Sequence, residues 1–415
     1  MNITEKILAR ASGRTSVKPG DIIEAHVDVA LFHEKAGPGF FENFEKLGRK
    51  IWDKDKVVVV ADHAVPPSNI YSANCIFETR DFVVRHNLPH FYLGKGICHQ
   101  ILSEEGFVKP GLVIVGADSH TVTQGAFGAF ATAVGSTEMA WILVKGSIWF
   151  RVPEAIRVNV EGPLPEMVFG KDIILKVFEI LGMDGATYKT LEFTGSAVRE
   201  LSVEGRMTMC NMVVDAGAKN GIVGPDPKTY EYLHRGAEPR GEALQSDPDA
   251  HYARTIDLPV ARMEPQVACP HSMDQVKNAR DVRNVKIDQA FIGTCTGGRL
   301  EDLRAAAGLL RKHRVHPEVM LVVTPASTKV YQQAMETGVL QTLIEAGAII
   351  TNSNCGACGG GGMGVLGENE VCISTSSRNT RGRMGHVSAQ IYLASAATVA
   401  ASAVKGIITD PRDMM

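Results

Sequence analysis

The stretch Leu112-Val113-Ile114-Val115-Gly116-Ala117-Asp118-Ser119-His120 carries the reading of the fold. Four apolar residues, mostly β-branched, predict a buried strand, and the strand runs straight into an acid, a hydroxyl and an imidazole. The same sequence of events recurs along the chain. Lys56–Ala61 leads into Asp62-His63, and Ile287–Gly293 into Thr294-Cys295-Thr296-Gly297-Gly298. Ala348–Ile350 leads into a loop with Cys355 and Cys358, and Val371–Ser374 into Ser377-Arg378. Val319–Val323 reads as a further strand, while Lys171–Leu181, Leu300–His313 and Ala326–Thr337 have helical spacing. Alternating strands and helices predict α/β layers on mainly parallel sheets. In such sheets ligands lie beyond the carboxyl ends of strands, so five chemically equipped strand ends point to one cleft.

Composition narrows the functional classes. With 415 residues the chain exceeds one usual domain, and 43 Lys+Arg against 46 Asp+Glu leave a net charge of −3, which excludes a nucleic-acid-coating surface. The apolar run between Gln390 and Lys405 is shorter than the roughly 20 residues a membrane span needs and is expected to be a buried helix. The charged N-terminal segment Met1–Arg10 shows no signal peptide, and eight cysteines without one fit a reducing cytoplasm. The Pro-containing segment from Gly224 to Pro265 is the expected boundary or excursion, and the chain is divided into 1–285 and a C-terminal α/β unit 286–415 that carries Cys295, Cys355 and Cys358.

Cys355-Gly356-Ala357-Cys358 alone could be half a zinc site, a thiol–disulfide pair or two packed small residues. No second close pair of Cys or His completes a zinc site, and Gly359-Gly360-Gly361-Gly362 disfavours the helix that a redox motif usually opens. Three thiolates, with Cys295 as the third and glycines admitting backbone N–H groups, suit an iron–sulfur cluster better. With three protein ligands one iron of a cubane stays open as a Lewis acid for a substrate hydroxyl and carboxylate. Cys75, Cys98, Cys210, Cys269 and Cys372 read as packing residues, the basic residues of 299–314 as a solvated helix face, and His33 and the other scattered histidines receive no role. A nucleotide-binding oxidoreductase built on Gly359–Gly362 is disfavoured, since these glycines lack the G-x-G-x-x-G spacing between a strand and a helix.

The runs Gly116-Ala117-Asp118-Ser119-His120-Thr121, Ile292-Gly293-Thr294-Cys295-Thr296, Cys355-Gly356-Ala357-Cys358 and Arg378-Asn379-x-x-Gly382-Arg383, in this order, resemble the large subunit of the aconitase superfamily. The likeness is to the 3-isopropylmalate dehydratases, homoaconitases and dimethylmalate dehydratases, and phrases such as Gly96–Gln100, Asp184–Lys189 and Gly382–His386 extend it over nearly the whole chain. The resemblance implies three α/β/α subdomains around a central cleft, without the swivelling fourth domain, and a hydro-lyase acting on a malate-type hydroxy di- or tricarboxylate through an alkene. It implies Cys295, Cys355 and Cys358 as ligands of a [4Fe-4S] cluster. Asp62, His63, His99, Asp118, Ser119, His120 and Asp215 become acid–base and orienting groups, Asn211 a substrate contact, and Arg378 and Arg383 clamps for substrate carboxylates. The family's proton-abstracting serine sits on the swivelling domain; with Met415 closing soon after the last helix, a separate small subunit is expected, and neither nucleic acid nor membrane as partner.

The chain departs from the family pattern at Gly297 (for Asn), Ala357 (for Pro), Gly362 (for His), Ser377 (for Asn), Thr380 (for Phe) and Asp215 (for Glu). These departures motivate a second expectation, a non-catalytic iron- or redox-sensing homologue. All three thiols and both arginines remain, which favours an active enzyme with a shifted substrate.

Overall fold

The computed structural model describes residues 1–36, 38–234 and 244–415. Three sheets organise them, with a two-stranded antiparallel ribbon, Ile22–His26 with Ser147–Arg151, at the side. In the first sheet five parallel strands lie in the order His90–Leu93, Val57–Ala61, Val29–His33, Val113–Gly116, Phe130–Ala133. All five residues of Val57–Ala61 are buried, as helices on both faces of a parallel sheet require. Strand order reverses between Val29–His33 and Val113–Gly116, so a crevice opens beyond the carboxyl ends of these two strands.

The second sheet is also wholly parallel: Asn220–Val223, Thr190–Thr194, Ala155–Glu161 and Arg254–Pro259. Its edge strand pairs residue by residue with Ala155–Glu161, so the segment 224–265, expected to mark a boundary, contributes a helix, Pro227–His234, and a strand to this layer. The Glu238-Pro239-Arg240-Gly241 turn signal lies outside the described residues.

The third sheet has seven strands: Val276–Asn278, Gln266–Ala268, Gln390–Leu393, Val371–Ser374, Gln289–Ile292, Met320–Val323 and Ile349–Ile350. The first two, from before residue 286, run antiparallel to their neighbours and the rest are parallel. Here the order reverses between Gln289–Ile292 and Val371–Ser374. The run Gln390–Lys405 is not one helix. Ile391, Tyr392 and Leu393 pair as a strand, the chain turns at Ala394-Ser395, and the helix covers Ala396–Lys405. A continuous apolar run has no period with which to separate a buried strand from the helix that follows it. Among the described residues no helix is long and apolar enough to cross a membrane.

Candidate active site

Both switch-point crevices open on the same cavity. It measures about 270 Å³ and is lined by His63, His99, Asp118, Ser119, His120, Cys295, Cys355, Cys358, Arg378 and Arg383, together with Lys35, Gly356, Gly359 and Gly361. A cavity of about 540 Å³ lies against Gln100, Glu104, Glu204, Tyr232 and Lys329, but it holds none of these thiols, imidazoles or arginines.

The imidazole and carboxylate wall comes from the first sheet. Asp118 follows Val113–Gly116 and caps the 3₁₀ segment Ser119–Phe127, its Oδ1 accepting from His120 N–H at 2.7 Å and from His99 Nε2 at 2.9 Å. Its Oδ2 lies 3.2 Å from His63 Nε2 and 3.5 Å from His33 Nε2. Burial favours the neutral acid, yet His99 and His63 outweigh it and hold Asp118 well below the usual carboxylate range. Asp62, fully buried past Val57–Ala61, accepts from His63 Nδ1 at 2.7 Å and from Cys98 N–H at 2.7 Å. His63 thus lies between two carboxylates. Burial opposes its charge, but the carboxylates of Asp62 and Asp118 raise it well above the usual imidazole value. An imidazole stored as imidazolium beside an acceptor cavity is a proton donor.

His33, which the sequence left without a role, closes this array. It ends the strand at the first switch point and stacks on His63 with ring centroids 4.0 Å apart. Its Nδ1 accepts from Lys35 N–H and its Nε2 faces the Ala117 carbonyl at 3.1 Å, which fixes a neutral ring with the proton on Nε2. Burial and the His63 charge push it down to about 4. Glu34 is a second unforeseen member: buried, it accepts Asp62 N–H at 3.0 Å and Ala64 N–H at 2.6 Å and so fixes the turn bearing Asp62-His63.

The second layer supplies Asn211, from the helix Val203–Met212, and Asp215. Asn211 Nδ2 donates to Thr123 Oγ1 at 2.8 Å, while its Oδ1 is buried without a partner. Asp215 Oδ1 accepts from Arg378 Nε at 2.5 Å, and its Oδ2 lies 3.5 Å from His120 Nε2. Burial pushes Asp215 up, and His120 and Arg378 more than offset this, leaving it below its usual value. Arg378 Nη2 donates to Ser119 Oγ at 3.2 Å, and its Nη1 is not engaged by either of these bonds.

The thiols arrive from the third sheet. Cys295 follows Gln289–Ile292 through Thr294, whose φ of 69° is a strained left-handed turn for a β-branched residue. Cys355 and Cys358 flank Gly356, with φ 57° and a position where a Cβ would meet the Phe291 ring at 2.5 Å, so only glycine fits. Arg383 Nη2 lies 3.6 Å from Cys358 Sγ, and Ser377 Oγ 4.0 Å from it. All three cysteines are free thiols. Burial and mutual repulsion push Cys295 up and Cys355 up to about 12, so without a cation they are protonated; bound iron would reverse that balance. Two buried guanidinium nitrogens near them, Arg299 Nη2 and Arg383 Nε, have no protein partner. Soft donors converging with unneutralised cations beside them fit an anionic iron–sulfur cluster.

The departures are partly accounted for. At Gly297 a Cβ would fall 2.2 Å from that of Thr375, and at Gly362 it would fall 2.1 Å from the Gly356 carbonyl oxygen. Ala357 is fully buried, and Thr380 is exposed away from the cavity lining. Arg299, expected on a solvated face, is 1% exposed: as the residue capping the helix Leu300–Leu310 it turns inward, with Nε on Gln100 Oε1 at 3.2 Å and Nη1 on Thr208 Oγ1 at 3.1 Å.

Comparison with known proteins agrees with this architecture. The chain is 50% identical over 412 residues, 99% of its length and 98% of the relative's, to the 3-isopropylmalate dehydratase large subunit 1 of Methanopyrus kandleri. It is 46% identical over 418 residues, 99% of both chains, to the probable methanogen homoaconitase large subunit of Methanothermobacter thermautotrophicus. Among solved structures, holo-form aconitase X of Thermococcus kodakaraensis has a TM-score of 0.51 at 14% identity, covering 85% of this chain and 84% of that one, which is a likeness of fold. The model of the aconitase family (aconitate hydratase) matches residues 5–282 and 273–406, and with full-length relatives at such identity the chain belongs to the aconitase family.

Proposed function

We propose that this chain is the large subunit of a [4Fe-4S]-dependent hydro-lyase that removes and re-adds water on a malate-type hydroxy di- or tricarboxylate, of the 3-isopropylmalate, homocitrate or dimethylmalate class. The observation that carries the reading is the convergence of three thiols, an imidazole–carboxylate array and two arginines on one cavity. Cys295, Cys355 and Cys358 would hold the cluster, which when bound supplies a Lewis acid for the substrate hydroxyl.

The protein's own groups do the remaining work. His63, kept cationic between Asp62 and Asp118, delivers a proton to the departing hydroxide from Nε2. Asp118 fixes His63 and His99 through opposite carboxylate oxygens, so both rings are oriented before substrate enters. Arg383 and the Asp215-anchored Arg378 form charge-assisted bonds to substrate carboxylates and stabilise charge building beside the acidic C–H. A small subunit supplies the base that removes that proton and the loop that selects the side group. Eight free cysteines suit a reducing cytoplasm for such an assembly.

The test is an anaerobic assay of the chain co-expressed with a small subunit, against a panel of hydroxy-acids and their alkenes. Hydration of one of them is expected, with Asp118→Asn lowering kcat by about 10²–10⁴-fold. A cluster-loaded, two-subunit complex inert on the whole panel would contradict the reading and favour the sensor alternative.

A further inference from the structure

Two buried cations, Lys171 and Arg299, lie behind the cysteines and take no part in the proton transfers and carboxylate contacts described above. Lys171 projects from the helix Gly170–Leu181 and is 3% exposed. Its Nζ donates to the Thr375 carbonyl at 2.8 Å and the Ser376 carbonyl at 2.7 Å. Thr296, the neighbour of Cys295, donates to the same Thr375 carbonyl at 2.7 Å, and Ser377 Oγ, one residue beyond these carbonyls, sits 4.0 Å from Cys358 Sγ. The ammonium therefore lies where the Cys295 and Cys358 loops meet, and its charge acts on both thiols as well as on Asp302 and Asp215. Arg299 backs Cys295 from the other side: it is held by Gln100 and Thr208, its Nη2 is buried without a partner, and its charge favours the Cys295 thiolate.

A buried ammonium held by neutral carbonyls is costly unless a negative charge offsets it. Asp302 and Glu204 lie near Arg299; burial holds their carboxyls up, at about 6 and about 7, so Asp302 is largely ionised and Glu204 about half ionised near neutral pH, and Asp215 is already paired with Arg378, which leaves less negative charge than the two buried cations need. Three thiolates around a cubane core of charge +2 leave a net negative charge at this position. We propose that Lys171 and Arg299 are positioning residues whose buried charges offset the net negative charge of a cluster held by Cys295, Cys355 and Cys358, raising its reduction potential and retaining it. This rests on the cluster reading given above. Cations behind the cluster stabilise the one-electron-reduced form more than the oxidised form, so their removal lowers the potential.

The experiment is a potentiometric titration of the anaerobically reconstituted full-length chain, with dithionite as electron donor and the paramagnetic reduced cluster read by electron spin resonance. Lys171→Gln keeps hydrogen-bonding capacity without charge, Lys171→Arg keeps the charge, and Arg299→Gln tests the second cation should the first position not tolerate change. Loaded Lys171→Gln or Arg299→Gln protein is expected to hold about tenfold less reduced cluster at a fixed potential, about 59 mV for one electron, with Lys171→Arg following the unsubstituted chain. Loss of the cluster from folded Lys171→Gln, with retention in Lys171→Arg, supports the same charge role. Coincident titrations of the unsubstituted chain, Lys171→Gln and Arg299→Gln would overturn the inference while leaving the cluster intact. Failure of the unsubstituted chain to take up iron and sulfide would instead overturn the reading beneath it.

Discussion

His33, at the end of the strand Val29–His33, takes its role from its neighbours. Its ring is buried against His63 and stays neutral because the folded protein depresses its protonation to about 4, below the unfolded value of roughly 6.5. The unfolded chain therefore binds a proton over this window that the folded chain does not. Stability falls as pH drops from about 6.5 to about 4, at up to about 1.4 kcal/mol per pH unit from this group. Urea unfolding of the cluster-free chain should show that acid-side loss, and His33→Gln should flatten it by about 3 kcal/mol across the window; an unchanged slope would mean that His33 titrates normally. At this scale the sequence was uneven in what it disclosed. Asp62-His63, Asp118-Ser119-His120 and the three cysteines sit in dense polar runs after apolar strands, and the structure brings them to one cavity. His33-Glu34-Lys35 follows the apolar run Val29–Phe32 in the same way, although the sequence reading gives it no role, Lys171 stands beside Asp172 at the start of an otherwise apolar helix, and Arg299 opens a helix whose outer face is charged. The inward course of Lys171 and Arg299 depends on tertiary packing that no local pattern encodes.

At the scale of elements, the alternation of strands and helices was readable because parallel strands buried on both faces appear as unbroken apolar runs. The strand Gln390–Leu393 escaped because such a run abuts the Ala-rich helix Ala396–Lys405 with only Ala394-Ser395 between them. The loop after Gln289–Ile292 shows how tightly an element end can be specified. Thr375 Oγ1 accepts Gly293 N–H at 2.8 Å and donates to the Gly293 carbonyl at 2.9 Å, and its side chain occupies the space where a residue-297 Cβ would stand. Gly297→Ala should displace Thr375 and shift the turn that carries Cys295. We expect a loss of about 1–3 kcal/mol in stability by denaturant titration, together with weaker cluster retention. A fully stable, fully loaded variant would show that the loop has slack.

Across the whole molecule, two doubly wound sheets face one another with their switch points on a shared cleft. Imidazoles and carboxylates come from the first, thiols and arginines from the third sheet, and Asn211 and Asp215 from the layer between. Such a site assembles only when all three layers pack. The sequence disclosed the layers but not the pairing of Arg254–Pro259 with Ala155–Glu161, a contact across about a hundred residues that periodicity does not record. The central claim concerns what the three thiols hold, and elemental analysis of the chain reconstituted and handled without oxygen tests it most directly. The account predicts about four iron and about four sulfide per chain, broad absorption near 400 nm, and loss of all three signals in Cys355→Ser. Zinc at the site, or protein with neither iron nor sulfide, would contradict it.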